Sequence, residues 1–358
     1  MITLCGQFGS SIEESTLKVL TIHRFYWPDT PPYASILRAI VRQWVKDGHE
    51  ISVLSSQPSY KAFIQNIKQP SREIIEGAEV IRLGLPYESG KPLVRILNAI
   101  RLGLATFCQA VFKNRYDVIM ISTSPPVLGG WFAAIVAKLT GARFIYHCMD
   151  IHPEIGRISG EFRNHKIFGL LFRIDSWTCA QANPVVVLSD DMAMSLEKRK
   201  VKVRPLTHVI NNFSLPSEAP VSVQLPFEWP EEPFIILFAG NIGRFQGLDV
   251  LIEAMGKLID HKDIRLLMMG DGTEKDRLFK IAKQSGSKVT FIGHQSVEIA
   301  KASMARASMG FVSLVPNLYR YAYPSKTMTY LAQGCPVLVA AETCSCLVRD
   351  LINSGAGQ

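Results

Sequence analysis

Arg244 stands inside a glycine-rich turn, Phe238-Ala-Gly-Asn-Ile-Gly-Arg-Phe-Gln-Gly247, between an apolar run and the amphipathic stretch LDVLIEAMGKL. Gly240 and Gly243 would let main-chain amides approach a phosphate, and the Arg244 guanidinium offers a fixed fork for its oxygens. The G-x-x-G-x-x-x-G spacing satisfies neither the dinucleotide fingerprint nor the Walker loop, so alone it reads equally as a tight turn with a surface arginine. Three further segments follow apolar runs: Gly270-Asp-Gly272, Phe291-Ile-Gly-His294 and Pro324-Ser-Lys-Thr-Met-Thr-Tyr-Leu-Ala-Gln-Gly-Cys-Pro336. In the last, Ser325 and Lys326 open a helix whose N-terminus would favour a diphosphate alongside the Lys326 charge; the alternative is a solvated helix-start lysine. Upstream, Asp150-Ile-His-Pro-Glu154 brings Asp150, His152 and Glu154 to another strand end. There they could bind hydroxyls and steady positive charge at a reacting carbon, or cap a loop.

Strand ends need strands, and the chain supplies them twice. Short Val- and Ile-rich runs alternate with helix-period segments, the pattern of parallel sheets covered by helices. The runs predict strands at 17–23, 50–55, 79–83, 117–122, 143–147, 184–189 and 207–210, then at 234–240, 264–270, 288–293, 309–315 and 336–341. The clearest helix covers Tyr33 to Asp47, with Ile36, Leu37, Ile40, Val41, Trp44 and Val45 on one face and Gly48 as its stop. Five prolines, Pro216, Pro220, Pro226, Pro230 and Pro233, mark a linker. The division is then an N-terminal extension over 1–16, an α/β domain over 17–212, a linker over 213–233 and a second α/β domain over 234–358. Two doubly wound domains facing each other place a ligand in the cleft at the carboxyl ends of their strands.

Composition agrees with two globular cores: 358 residues, 47% hydrophobic and 20% charged. The longest apolar runs stop short of the ~20 residues that span a bilayer, and the first sixteen residues carry Glu13 and Glu14 without a signal-peptide pattern. The expected location is therefore the cytoplasm. Seven cysteines without a C-x-x-C pair argue against a disulfide framework or structural zinc. The net charge of +8 falls mostly on residues 1–220, with 25 Lys and Arg against 18 Asp and Glu, which suits an anionic partner. No nucleic-acid module accompanies it, so nucleic acid is not expected as a partner.

The order, spacing and residue types of the segments from Gly240 to Pro336 resemble the nucleotide-sugar-binding half of the retaining GT-B glycosyltransferases of family 4. The nearest branch is the one making capsular, colanic-acid-like and lipopolysaccharide polymers. Phe25-Tyr-Trp-Pro-Asp29, Gly48-His-Glu50, Ser124-Pro-Pro126, Asp150-Ile-His-Pro-Glu154 and Val209-Ile-Asn-Asn212 extend the resemblance over roughly residues 17–357. It implies a hexosyl transfer from a UDP-sugar, an N-acetylated hexosamine by family usage, to a lipid-linked or polysaccharide acceptor, without cofactor or metal. It also implies Arg244 and Lys326 on the donor diphosphate, close passage of the chain at Gly240, Gly243 and Gly270, and the base held near His294. Ser325 and Thr329 would contact the donor, and Asp150, His152 and Glu154 would serve the reacting centre.

Three features depart from that family. Its E-x7-E pair would fall at Tyr321 and Thr329, of which Thr329 could still hydrogen-bond a ribose hydroxyl. Gln246 replaces a lysine often found near the glycine turn, and the chain ends where relatives begin a further strand and a long helix, so the second domain is expected to be incomplete. This branch usually carries an aromatic residue in place of His152, and many wider relatives a histidine in place of Met149. Residues 91–115 mix Leu, Ile, Val and Phe with Lys91, Arg95, Arg101, Lys113 and Arg115, which fits either a peripheral helix on the anionic inner membrane surface or a core helix. The competing functions are a non-catalytic nucleotide-sugar-binding relative and, further off, a UDP-sugar epimerase.

Overall fold

A computed structural model describes residues 16–29, 31–59, 68–88, 92–162, 164–199, 206–214 and 223–358. The proposed extension over 1–16 lies almost wholly outside the described residues, as do 215–222 of the linker; its remaining residues, 213–214 and 223–233, are irregular.

The first sheet contains β1 (Lys18–Ile22), β2 (Glu50–Ser56), β3 (Arg72–Ile75), β4 (Ala78–Leu83), β5 (Val118–Ser122), β6 (Arg143–Cys148), β7 (Val185–Val187) and β8 (Thr207–Val209). Its order is β3-β4-β2-β1-β5-β6-β7-β8, parallel throughout except for β3. Its helices are α1 (Pro32–Lys46), α2 (Pro92–Phe107), α3 (Leu128–Thr140), α4 (Glu154–Ile158), α5 (His165–Gln181) and α6 (Asp190–Glu197). The central strands are buried on both faces, because helices cover both, and this is why they read as unbroken apolar runs. Among the described residues the one strand not anticipated is β3, which joins β4 through a two-residue turn. Glu76 and Gly77 both have positive φ there (51° and 87°), the primed geometry that suits the twist of a hairpin.

The second sheet holds β9 (Phe234–Ala239), β10 (Ile264–Met269), β11 (Val289–Ile292), β12 (Met309–Ser313) and β13 (Val337–Ala340), all parallel, in the order β11-β10-β9-β12-β13. Its helices are α7 (Asp249–Lys257), α8 (Lys275–Ser285), α9 (Val297–Arg306), α10 (Lys326–Ala332) and α11 (Cys346–Asn353). Gly357 bridges to Val337 at the outer edge of β13. The two halves meet through two main-chain contacts, Ile151 N donating to Tyr321 O (2.8 Å) and Asp150 pairing with Ala322, and through a side chain, Cys346 N donating to Asp191 Oδ2 (2.6 Å).

The segment predicted over 91–115 forms α2 and a π-helical turn, Cys108–Lys113. By length and composition alone the helix Pro92–Lys113 is long and apolar enough to cross a membrane, a test that the core helix of a soluble protein also passes. One face packs on α3, where a Cβ at Gly103 would lie 2.4 Å from the Phe132 ring. The other face leaves Leu93 80% and Phe112 73% exposed.

Candidate active site

Among the parallel strands of each sheet the chain order reverses once, between β1 and β5 and between β9 and β12, and ligands of open α/β sheets sit at such points beyond the strand ends. The first is filled by its own side chains. His23, just after β1, hydrogen-bonds through Nδ1 to Ser122 Oγ at the end of β5, and Tyr33 OH and His147 Nδ1 share a 2.8 Å hydrogen bond beside them. Burial holds His23 down at about 3 and His147 at about 4, so both imidazoles are neutral.

The second is built differently. The loops after β9 and β10 touch backbone to backbone: a Cβ at Gly270 would lie 1.9 Å from Gly240 O, and one at Gly272 2.2 Å from Ile242 O. Gly270 is therefore first of all a packing glycine, with φ of 137° and its side-chain space taken by Gly240. Above Gly240 (φ 139°), the nearest atom to a hypothetical Cβ is Lys326 Nζ at 3.4 Å.

Lys326 opens α10 and projects over the Phe238 ring, with Nζ 3.8 Å from its centroid. Nζ is buried and has no hydrogen-bond partner, and burial lowers the ammonium from 10.5 to about 7. The helix is held there by Tyr330, one turn along the same face. Tyr330 OH donates to Leu237 O (2.9 Å) and accepts from Ala239 N (2.8 Å), its ring packed where a Cβ at Gly310 would come within 2.4 Å. β9 and β12 pair only at Met309–Ile236 and Gly310–Leu237, so this hydroxyl serves β9 where the strands part. Ser325 precedes the helix without a side-chain cap, the buried Thr327 Oγ1 has no partner, and Thr329 is half-buried three residues beyond Lys326.

Arg244 begins a 3₁₀ turn, Arg244–Gln246, is 68% exposed and pairs with Glu274 at 3.2 Å. Such an exposed pair is worth about 0–1 kcal/mol, so exchanging Glu274 for a phosphate costs little. Gly243 differs from expectation: its N–H donates to Gln246 Oε1 (3.1 Å) and is already occupied. His294 is exposed beyond β11, its N–H donating to Asp271 Oδ2 (3.3 Å).

Across the cleft, Asp150 N donates to Thr123 Oγ1 (3.3 Å), and burial raises the Asp150 carboxyl to about 6. Burial, with the charges of Arg199 and Arg95, lowers His152 to about 4, and its buried Nδ1 has no partner. Glu154 is not free for chemistry: both carboxylate oxygens accept from Arg199, at 3.0 and 2.7 Å. Asp150 pairs with Ala322, four residues before Lys326, so at most about 14 Å of extended chain separates the two groups of residues. The main chain at Asp150 and Ile151 thus lies against the segment leading to Lys326, whereas His294 follows β11 at the far edge of the second sheet.

Sequence reading missed Tyr330, Phe238 and Arg199. Tyr330 stands at the i, i+4 spacing from Lys326, within the Pro324–Pro336 segment, a signal the sequence carries; Arg199 left none, its partners being 20 to 47 residues away.

Residues 33–212 match the family model for the glycosyl transferase 4-like domain, and residues 225–355 that for glycosyl transferases group 1. The chain is 24% identical over 252 residues to the probable glycosyltransferase WbjE of Pseudomonas aeruginosa, covering 68% of this chain and 62% of that one. It is 25% identical over 345 residues to the putative colanic acid biosynthesis glycosyl transferase WcaI of Escherichia coli strain K12, covering 91% and 84%. Among solved structures, sucrose-phosphate synthase from Thermosynechococcus elongatus superposes with a TM-score of 0.70 at 15% identity (91% and 82% covered). WaaG, a glycosyltransferase involved in lipopolysaccharide biosynthesis, gives 0.66 at 14% (95% and 85%), and Anabaena HepE in complex with UDP gives 0.60 at 16% (94% and 89%). At such identities the structures establish the fold, two Rossmann-like domains in the GT-B arrangement.

Proposed function

Because the chain belongs to the glycosyl transferases group 1, with a glycosyl transferase 4-like first domain, we propose that it moves a sugar, an N-acetylated hexosamine, from a UDP-sugar onto a lipid-linked or polysaccharide acceptor with retention, in the making of a cell-surface polysaccharide. The observation that carries the donor site is Lys326 Nζ, buried without an anionic partner beside Gly240 at the switch point of the second sheet. A diphosphate there would offset the desolvation of the ammonium, and Arg244 would turn to it from Glu274. In this reading the two cations take the charge of the departing diphosphate, the service a metal ion gives in other transferases. UDP as donor is supported by the UDP complex of the similarly folded HepE, and a polysaccharide acceptor by the likeness to WcaI.

Asp150 and His152 serve the acceptor side. Asp150 ionises above about pH 6 and would then steady positive charge at the anomeric carbon and orient the incoming hydroxyl. Neutral His152 would hydrogen-bond the acceptor. On the α2 face, Leu93, Ile96, Leu97 and Leu104 lie exposed with Arg101, and Lys113 and Arg115 are exposed beyond them. We assign this face to the inner surface of an anionic membrane, where a polyprenyl-linked acceptor would be met.

The test is calorimetric titration with UDP and UDP-N-acetylglucosamine, with chelator and again with magnesium, on the wild type and on Arg244→Ala and Lys326→Ala. Binding without metal that both substitutions weaken supports the donor site. A folded wild type silent toward UDP, GDP and ADP refutes it. The second reading, a non-catalytic binder, is favoured by Tyr321 and Thr329, which offer no carboxylate where the family carries its glutamates; it predicts donor binding without turnover.

A further inference from the structure

The Asp150–Glu154 turn owes its place to a residue outside it. Arg199 follows α6, its side chain only 3% exposed. From Nε it donates to Glu154 Oε1 (3.0 Å), and from Nη2 to Glu154 Oε2 and to His152 O (both 2.7 Å). From Nη1 it donates to Asp175 Oδ2 (2.5 Å) and Cys179 Sγ (3.8 Å). One planar group therefore engages the first turn of α4, the main chain at His152 and the interior face of α5. Asp175 is itself fixed by Tyr146 OH from β6 (2.9 Å), and the Phe172 ring lies 5.1 Å from the guanidinium carbon.

What Arg199 holds is one of the pieces of the first domain that reach the second. Between Asp150 and His152, Ile151 N donates to Tyr321 O (2.8 Å) and Asp150 pairs with Ala322, at the start of the loop leading to Lys326. We propose that Arg199 is a positioning residue for sugar transfer: through Glu154 and the His152 carbonyl it sets the 150–154 turn against the second domain, holding Asp150 and His152 where an acceptor hydroxyl meets the donor sugar. This rests on the transferase reading above. A lysine could carry the charge but not the fork that binds Glu154 and the His152 carbonyl at once.

The test compares wild type with Arg199→Lys and, in case the loss of the fork between two carboxylates prevents folding, reads Glu154→Gln in parallel. Misplacement of reacting groups by about 1 Å can cost on the order of 100-fold in rate. Arg199→Lys and Glu154→Gln should therefore lower kcat by tenfold or more while the dissociation constant for UDP-N-acetylglucosamine stays within about twofold. The Ile151 amide should exchange hydrogen at least tenfold faster in both, with β1 and β5 amides as protected as in wild type. Full kcat with wild-type exchange at Ile151, or exchange that accelerates equally across the first sheet, overturns the proposal. If wild type binds donor but transfers nothing, the transferase reading fails, and the Ile151 exchange rate alone decides whether Arg199 holds the turn.

Discussion

Donor binding should draw a proton onto Lys326. In the free protein burial lowers this ammonium to about 7, and its nearest neighbour is the Phe238 ring rather than a carboxylate. A diphosphate within reach supplies the missing opposite charge and raises the value back toward the ordinary lysine range. At pH 8 about one molecule in ten is then protonated before binding, so binding takes up about nine-tenths of a proton; at pH 6 it takes up about one-tenth. The dissociation constant for a UDP-sugar should accordingly rise about tenfold per pH unit above pH 7.5, or about 1.4 kcal/mol per unit. Calorimetric titration with UDP-N-acetylglucosamine in buffers of different ionisation enthalpy counts the protons directly, and Lys326→Met should bind weakly with neither uptake nor pH dependence. The same group fixes a stability trend. Between pH 7 and about 10.4 the unfolded chain holds a proton that the folded chain lacks, so stability without donor rises with pH across that window and is lost as pH falls through it. A dissociation constant flat from pH 7 to 9, or proton uptake unchanged in Lys326→Met, would refute the reasoning.

Tyr330→Phe strands the Ala239 N–H and the Leu237 carbonyl beneath α10 and should cost about 1–3 kcal/mol, seen as a lower thermal midpoint with weaker donor binding; an unchanged midpoint contradicts the role given to the hydroxyl. Asp150 must ionise to act, so kcat/KM should fall about tenfold per pH unit below about pH 6. Asp150→Asn should be about 100-fold slower or worse and lack that acid limb, and a limb that survives the substitution assigns it elsewhere. Gly270→Ala forces a Cβ toward Gly240 O at a φ of 137° and should cost about 2–4 kcal/mol in denaturant unfolding, with donor affinity falling too. Replacing Arg101, Lys113 and Arg115 with Glu should release the protein from vesicles rich in phosphatidylglycerol without changing UDP binding; equal sedimentation with both proteins argues against the α2 face.

The sheets were legible because their central strands are buried on both faces and so carry continuous Val and Ile runs, as in VIMIS and FIILFA. β3 was not, because REII lies at an edge with alternate residues exposed and joins β4 through Glu76-Gly77, a weaker turn signature than Asn-Gly. The glycine turn, Lys326 and Asp150 could be singled out by residue type and by their place after apolar runs, while the choice between a ligand role and a structural one rested on the family resemblance. What each side chain touches was hidden. Glu154 read as chemistry and is bound to Arg199; Gly243 read as a phosphate contact and is closed by Gln246; Gly270 proved to be a packing position. The amphipathic stretch beginning at Pro92 left core and surface roles open; packing on α3 shows which face is covered and which is free.

The most direct measurement of the central claim is transfer itself. Purified protein, UDP-N-acetylglucosamine and a polyprenyl-diphosphate-linked saccharide are incubated with chelator and again with magnesium, and the product is weighed by mass spectrometry and its anomeric configuration read by NMR. The account predicts a product heavier by one N-acetylhexosamine with the donor's α configuration, formed in chelator and lost in Lys326→Met and Asp150→Asn. Donor binding with no product on any lipid-linked or polysaccharide acceptor, or a product of inverted configuration, would contradict it.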